Sequence, residues 1–550
     1  MARNSQQPAP LQTALRGLGT AALIGAFFLA VCLCSAATAK SAAILLTALT
    51  LSAAFLFWER LRDRVKAPVA ALALVVLMSG ISCSYAASGK FALYEFLKVF
   101  NAFCLMLMLL AFTGEERPER KISVILEGFA AVAGLTSIDL LSTRWVSGAV
   151  LGALGWFTPD YMELGAVEEG VRMTSIFLSP NVFAGCMGVG VLLALGLAVT
   201  EEKPGARAGH LACLSVNALS FVLAFSMGAC VMIVPAFLAL LALTGGGKRT
   251  ELFLLMLETL AVTALCAFPI SLTSMTAWTG FQPIPLLCAA GGAAVLCGLD
   301  LLAVSAVCLW RGRKRPLAPA LGAALVFMAC HALVEFTFSI YCYLPMAFGV
   351  FAAISLCCGD TLPLPAWMEG KTVKNGAVLG ICALLVLFAV LLGCNSAARG
   401  LVTDPSNLDQ LERAAALDPF ERADYLLTYV IQAGGREADG EVREKADEYA
   451  ARLAKLDSNS IPIYLAEYYL RTGRTEQGLE QAERYVGYVS ADAAVWQKTF
   501  DLLEEYEEDT EQYRAGVRRV AELLDAWNAE NLGRIELSGQ TQAFIGRMCA

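Results

Sequence analysis

From residue 16 to residue 394 the chain runs through one apolar stretch after another, broken only by short polar loops. Most of these stretches approach the roughly 20 residues that an α-helix needs to cross a bilayer core about 30 Å thick. Backbone polar groups find no water in that layer, so each stretch must close its hydrogen bonds internally, as a helix. The first six lie near residues 16–37, 41–58, 68–86, 91–113, 121–141 and 178–200. Further stretches lie near 209–226, 228–244, 251–273, 282–310, 316–335, 340–358 and 376–394, which makes 13 spans, or 12 if 209–244 or 316–358 divides differently. With 57% hydrophobic residues and a mean hydropathy of +0.61, the chain has more apolar side chains than a water-soluble core of this size would absorb. The predicted fold class is all-α. A polytopic membrane bundle occupies residues 1–394, and a soluble helical-repeat domain follows over 395–550.

Short loops rich in Lys and Arg stay in the cytoplasm. One alternating set of loops holds Arg60, Arg62, Arg64 and Lys66, then Arg117, Arg120 and Lys121, then Lys203 and Arg207, Lys248 and Arg249, Arg311 to Arg315, and Lys371 with Lys374. The other set has little beyond Lys40, Lys90, Arg144 and Arg172. This predicts a multi-pass protein of the cytoplasmic membrane with its N-terminus inside and, for an odd span count, its C-terminal domain extracytoplasmic. Ala36-Ala37-Thr38-Ala39 resembles a signal-cleavage site, but losing the first span would break the charge alternation, so the span is read as an uncleaved anchor.

The net charge of −8 comes largely from the tail and argues against nucleic acid as a partner. The 18 cysteines lie mostly in apolar spans without metal or redox spacing and read as small hydrophobes; Cys549 alone falls deep in the tail. Within the tail, apolar positions recur at helical spacing in paired segments, 406–417 with 420–432, 461–472 with 474–487, and 492–507 with 509–527. Such pairs predict either stacked helical hairpins that bind a protein partner or a plain helical bundle. The long loop 142–177 carries Trp145, Trp156, Phe157 and Tyr161 among carboxylates. Aromatic rings there suit sugar stacking and, more cheaply, anchoring at the lipid headgroups.

Two features carry chemistry. Arg172 stands just before Ser179-Pro180-Asn181, where Ser as N-cap and Pro at the first helical position aim free backbone N–H groups and the positive dipole end at an anion. His331, one of only two histidines, falls within a span four residues before Glu335, which puts both on one helix face. A titratable pair inside a membrane faces a cavity or a partner, and a histidine held by a carboxylate can take a hydroxyl proton. The alternative is a hydrogen bond that packs one helix on another. Phe336, Phe338, Tyr341 and Tyr343 follow as aromatics of the outer interface, while the other histidine, His210, marks a membrane edge. Ser226-Met227-Gly228 interrupts a run too long for one span and starts a second outward-facing helix.

On these residues the chain resembles the O-antigen ligase and O-antigen polymerase-like membrane proteins, in the form with a C-terminal tetratricopeptide-like domain. The likeness rests on Val171-Arg172 through Phe183-Ala184, similar to that family's Arg followed by a Pro-Asn helix start. It rests also on His331-Ala332-Leu333-Val334-Glu335-Phe336, similar to the family's His-Ser-Leu-x-Asp-Phe variant. The resemblance implies a GT-C-like bundle and a glycosyl transfer with no cofactor and no metal. The donor would be a glycan on a polyprenyl pyrophosphate, the acceptor a hydroxyl of a glycan or surface polymer, and membrane lipid the surroundings. Arg172 would bind the pyrophosphate, Asn181 and Ser226 would shape the substrate site, His331 would act as base and Glu335 would support it.

Where the family commonly has Ser-Arg-Gly, this chain has Met227, so one phosphate-binding cation is missing. Lys98, near Glu95, is a substitute unless it pairs with that carboxylate. Two other function classes compete. One is a transporter or flippase that relays charge through Glu127, Asp139, Glu258 and Asp300. The other is a catalytically weakened scaffold of a surface-polysaccharide system.

Overall fold

The computed structural model describes residues 64–145, 179–272, 283–306, 317–335, 343–357 and 393–550, apart from short gaps, together with 25–26, 46–47, 50, 61, 147–149, 167–168, 172–174, 177 and a few positions between 383 and 390. The expected spans 16–37, 41–58 and 376–394 lie largely outside these residues, as do Trp156, Phe157, Tyr161, Phe336, Phe338 and Tyr341. The chain forms two compact units, Met1–Tyr85 with Phe91–Cys382 and Ala86–Lys90 with Ala383–Ala550.

In the first unit the apolar stretches from 68–86 to 340–358 are helices: α1 (Ala67–Ser82), α2 (Gly89–Phe112), α3 (Pro118–Leu140), α4 (Pro180–Thr200), α5 (Pro204–Leu223), α6 (Met227–Leu243), α7 (Gly247–Leu272), α8 (Ile284–Ala306), α9 (Ala318–Ala332) and α10 (Leu344–Cys357). Among the described residues, six of them (α2, α3, α4, α5, α7 and α8) are long and apolar enough to cross a membrane, and α1, α6, α9 and α10 are shorter apolar helices. Large apolar side chains such as Leu74, Leu77, Val231, Leu238, Leu260 and Leu265 stay exposed. That is the surface a lipid-facing bundle needs and a water-facing one avoids.

Helix α4 is the axis of this unit. It is buried along its whole apolar length, whereas α7 and α8 are buried over only 28% of theirs. Helices α3, α5, α6 and α9 pack directly around it. Small residues allow this closeness: a Cβ on Gly196 would lie 2.2 Å from the Cβ of Ala320 on α9, and one on Gly188 would lie 2.5 Å from the Phe327 ring. At the Thr200 end, ion pairs fix the neighbours. Arg120 on α3 donates to Glu201 at 2.5 Å and to Thr200 Oγ1 at 3.2 Å. Arg207 on α5 holds Asp300 on α8 through two hydrogen bonds of 2.8 and 2.5 Å and Glu251 on α7 at 2.9 Å. Lys248 adds a 2.7 Å contact to Glu251.

The second unit contains α11 (Leu408–Leu417), α12 (Arg422–Gly434), α13 (Gly440–Leu453), α14 (Ile461–Arg471), α15 (Thr475–Tyr488), α16 (Ala493–Glu505), α17 (Glu511–Glu530) and α18 (Gly539–Cys549). Successive helices pack, α11 on α12, α12 on α13 and α14 on α15, and α17 lies against α15 and α18. One core gathers around Tyr429, Val430, Ala446 and Leu465, another around Trp496, Phe500, Tyr513 and Phe544. The turn from α14 to α15 passes through Gly473 at φ +74°, a left-handed position that glycine takes without a Cβ penalty. Its N–H donates to Leu470 O at 3.0 Å, and that of Arg474 to Tyr469 O at 2.8 Å, which closes the end of α14.

Candidate functional site

The site lies at the Pro180 end of α4. Ser179 is extended and Pro180 begins the helix, as the sequence predicts, although Ser179 makes no side-chain capping hydrogen bond. Arg172 and Met173 form strand β2, paired antiparallel with β1 (Val167–Glu168) so that Arg172 stands opposite Glu168. Strand β2 packs on α4 and α5, with Met173 fully buried and Thr174 nearly so. This anchoring delivers the guanidinium to the helix start, where Arg172 Nη2 donates to Asn181 Oδ1 at 2.6 Å. Arg172 Nε is buried and has no hydrogen-bond partner among the described residues. A buried charged donor left in that state costs roughly 1–3 kcal/mol, which an acceptor at Nε would offset.

One turn further along α4, on the same face as Asn181, lies Gly185. A Cβ there would meet His331 Nδ1 at 3.0 Å, His331 Cε1 at 3.1 Å and Tyr343 Cε2 at 3.1 Å. His331 is fully buried and stacks on Phe327, ring centroids 5.4 Å apart and 8° from parallel. Neither ring nitrogen has a hydrogen-bond partner among the described residues. The structure therefore lines Arg172, Asn181 and His331 along one face of α4, with Tyr343 beside the imidazole.

Glu335 does not join them. Helix α9 ends at Ala332, so His331 sits in its last turn rather than mid-span. The backbone continues for one turn, Glu335 N–H donating to His331 O at 3.0 Å, but the carboxylate turns toward α6. Its Oε1 lies 3.9 Å from where a Cβ of Gly228 would sit. The i, i+4 reading fails at the side chains and not at the backbone: the turn from His331 to Glu335 is helical, yet neither His331 ring nitrogen has a partner among the described residues. Tyr343, just before α10, is fully buried beside Gly185 of α4.

Glu335 thus belongs to the start of α6, where Ser226 is the N-cap and its Oγ accepts from Ala229 N at 3.3 Å. Phe225 precedes it at φ +47°, a left-handed conformation that costs a bulky residue about 1–3 kcal/mol. Met227 is 78% exposed. Lys98 is ion-paired with Glu95, as the alternative for that residue had it.

The charged groups considered as relays are mostly engaged. Asp300 is held by Arg207, and Asp139 accepts from Thr143 Oγ1 and from Ser147 N at 2.8 Å. His210 lies seven residues into α5 and is paired inside the protein. It is 8% exposed, and its Nδ1 lies 2.7 Å from Glu127 Oε2 on α3.

Sequence reasoning missed Gly185, Phe327 and Tyr343 as parts of the site. The available signals were Gly185 four residues after Asn181 and Phe327 four residues before His331, each one helical turn away. The fold and site define a helical membrane protein with an arginine, an asparagine and a histidine gathered on one face of its central helix. No family model, curated protein or solved structure matches the chain.

Proposed function

We propose that this protein is a glycosyltransferase that moves a glycan from a polyprenyl-pyrophosphate carrier onto an acceptor hydroxyl at the outer face of the cytoplasmic membrane, as an O-antigen ligase or polysaccharide polymerase does. The observation that carries the reading is the row on α4. An arginine with a buried N–H unpartnered among the described residues sits at a helix N-terminus, and one turn along, that helix faces a histidine whose ring nitrogens are both unpartnered among them. An anion fits the first, since the guanidinium and the helix dipole both favour negative charge. A hydroxyl fits the second.

In this reaction Arg172 and the first backbone N–H groups of α4 hold the pyrophosphate, and Asn181 fixes the guanidinium. His331 accepts the proton of the acceptor hydroxyl. The acceptor oxygen bonds to the donor's anomeric carbon as the bond from that carbon to the pyrophosphate oxygen breaks, and polyprenyl pyrophosphate leaves. Phe327 and Tyr343 orient the imidazole in place of a carboxylate. Ser226 and Glu335, at the start of α6, are assigned to the wall on the acceptor side. The stacked helices of the second unit, a tetratricopeptide-like array in this reading, offer a surface for a protein partner.

The test is transfer from a polyprenyl-pyrophosphate-linked glycan to acceptor polymer in membranes holding equal amounts of protein. Removing a general base typically costs about 10²–10⁴-fold, so His331→Ala should lose at least that much, and Arg172→Ala should lose transfer outright. Transfer at the wild-type rate by both variants would refute the assignment.

A further inference from the structure

The first unit contains a second buried polar system that the proposed transfer does not use. Glu127 on α3 and His210 on α5 meet at 2.7 Å, with Glu127 2% and His210 8% exposed. Glu127 Oε1 has no hydrogen-bond partner among the described residues. Two turns along the same face of α5 is Asn217, fully buried, with neither its Oδ1 nor its Nδ2 partnered there; three residues further is Ser220, fully buried, with its Oγ also unpartnered. Glycines make room for these groups. A Cβ on Gly190 of α4 would lie 2.7 Å from Asn217 Nδ2, and one on Gly134 of α3 would lie 2.8 Å from Ser220 Oγ. The spacing matches on both helices, Glu127 and Gly134 being seven residues apart on α3 as His210 and Asn217 are on α5.

Four orphaned polar atoms on one seam between three apolar helices would cost several kcal/mol if dry, each about 1–3. Asn217 and Ser220, one turn apart and two turns beyond His210 on α5, instead meet the condition for internal water, which needs two to four polar partners. The short Glu127–His210 contact also requires a proton between the two groups. Without a further proton the pair carries a net negative charge in an apolar interior; with one it is neutral, and neutrality is what burial favours.

We infer that the Glu127–His210 pair is an intramembrane site for one exchangeable proton, reached by internal water held along Asn217 and Ser220. The charges around it allow this. Arg120 on α3 is ion-paired with Glu201 past the end of α4, and Arg207 on α5 with Asp300 on α8 and Glu251 on α7. Lys248 holds Glu251, Glu258 is the remaining carboxylate on α7, and Cys186, Cys213 and Cys357 are the thiols on α4, α5 and α10. Arg120 still acts on Glu127 through space, while its hydrogen bonds go to Thr200 and Glu201. The seam is separate from the transfer site: Phe327, which packs edge-on against Phe221 at 6.4 Å and stacks on His331, stands between Ser220's turn and the imidazole.

The chain's two histidines make the test direct. Full-length protein with ¹⁵N-labelled histidine, reconstituted in lipid nanodiscs, is titrated by NMR over about pH 5 to 8, the imidazole range. His210 is assigned as the signal lost in His210→Gln. The expected result is a reversible change of the His210 ring ¹⁵N signals between two states with pH, as the pair takes up or releases one proton on either partner. In Glu127→Gln that titration is lost, and in Asn217→Leu exchange of the ring N–H with D₂O slows. His210 ring signals that do not change with pH in the wild type overturn the site, whatever the variants do. Exchange equally slow in wild type and Asn217→Leu overturns the water path. Neither readout depends on transfer activity.

Discussion

Substituting Gly185 by alanine isolates the packing that places the imidazole. Gly185 is in the interior of α4, where alanine is intrinsically favoured over glycine by about 1 kcal/mol. The new Cβ would meet His331 Nδ1 at 3.0 Å and Cε1 at 3.1 Å, and Tyr343 Cε2 at 3.1 Å, all tighter than ordinary van der Waals contact. Both rings are fully buried, and His331 is backed by Phe327, so neither has free space to retreat into. Overpacking of this kind costs about 1–3 kcal/mol. Subtracting the propensity gain leaves a net loss of roughly 0–2 kcal/mol. Gly128 on α3 is the matched control, since a Cβ there meets nothing within 4 Å, and Gly128→Ala should gain up to about 1 kcal/mol. Thermal unfolding of the purified protein in micelles compares the two. Histidine-labelled NMR reads the ring, with the His331 signal moving in Gly185→Ala and staying in Gly128→Ala. Equal stabilisation of both variants with an unmoved His331 signal would refute the proposed contact.

Two further outcomes follow from the ion pairs and the second unit. Arg207→Ala leaves buried Asp300 without its cation, while Glu251 keeps Lys248, and should destabilise the first unit by about 3–5 kcal/mol, read as a fall in unfolding temperature, with Arg207→Lys recovering only part. In the second unit, burial and then the 3.0 Å hydrogen bond to Glu412 push the Tyr449 phenol up to about 12. An unfolded tyrosine ionises near 10, so the contribution is intact below about pH 10 and is lost as pH rises from there to about 12. Hydrogen exchange in α13 should accelerate over that window in the wild type and change less in Tyr449→Phe.

Helix positions and the Arg172–Asn181 meeting were legible because both are local. Apolar length marks a span, and Pro180 after Ser179 marks a start whatever the rest of the chain does. Pairings set by tertiary packing were not. Glu127 and His210 are 83 residues apart, Arg207 and Asp300 93, and no periodicity links them. The His331 environment was misread for a different reason. Period 3.6 puts Glu335 one helical turn beyond His331, as the backbone hydrogen bond between them shows, but the carboxylate's own rotamer carries it toward Gly228 instead. The contact of Tyr343 with Gly185 was not legible from composition, since an aromatic near a span end suits the headgroup region and the protein interior equally well.

The burial of α4 bears on how the protein is made. Its 21 residues are apolar on every side, so the segment can enter a bilayer alone as an independent stable helix. In the finished protein it touches almost nothing but other helices. Lipid must therefore leave every face of α4 during assembly, and α9 and Tyr343, synthesised more than a hundred residues later, complete the wall. Until they arrive, the glycine positions that admit Phe327 and Ala320 are open to lipid tails. Biogenesis of this domain is a post-insertion packing problem, and small residues on α4 set its tolerance.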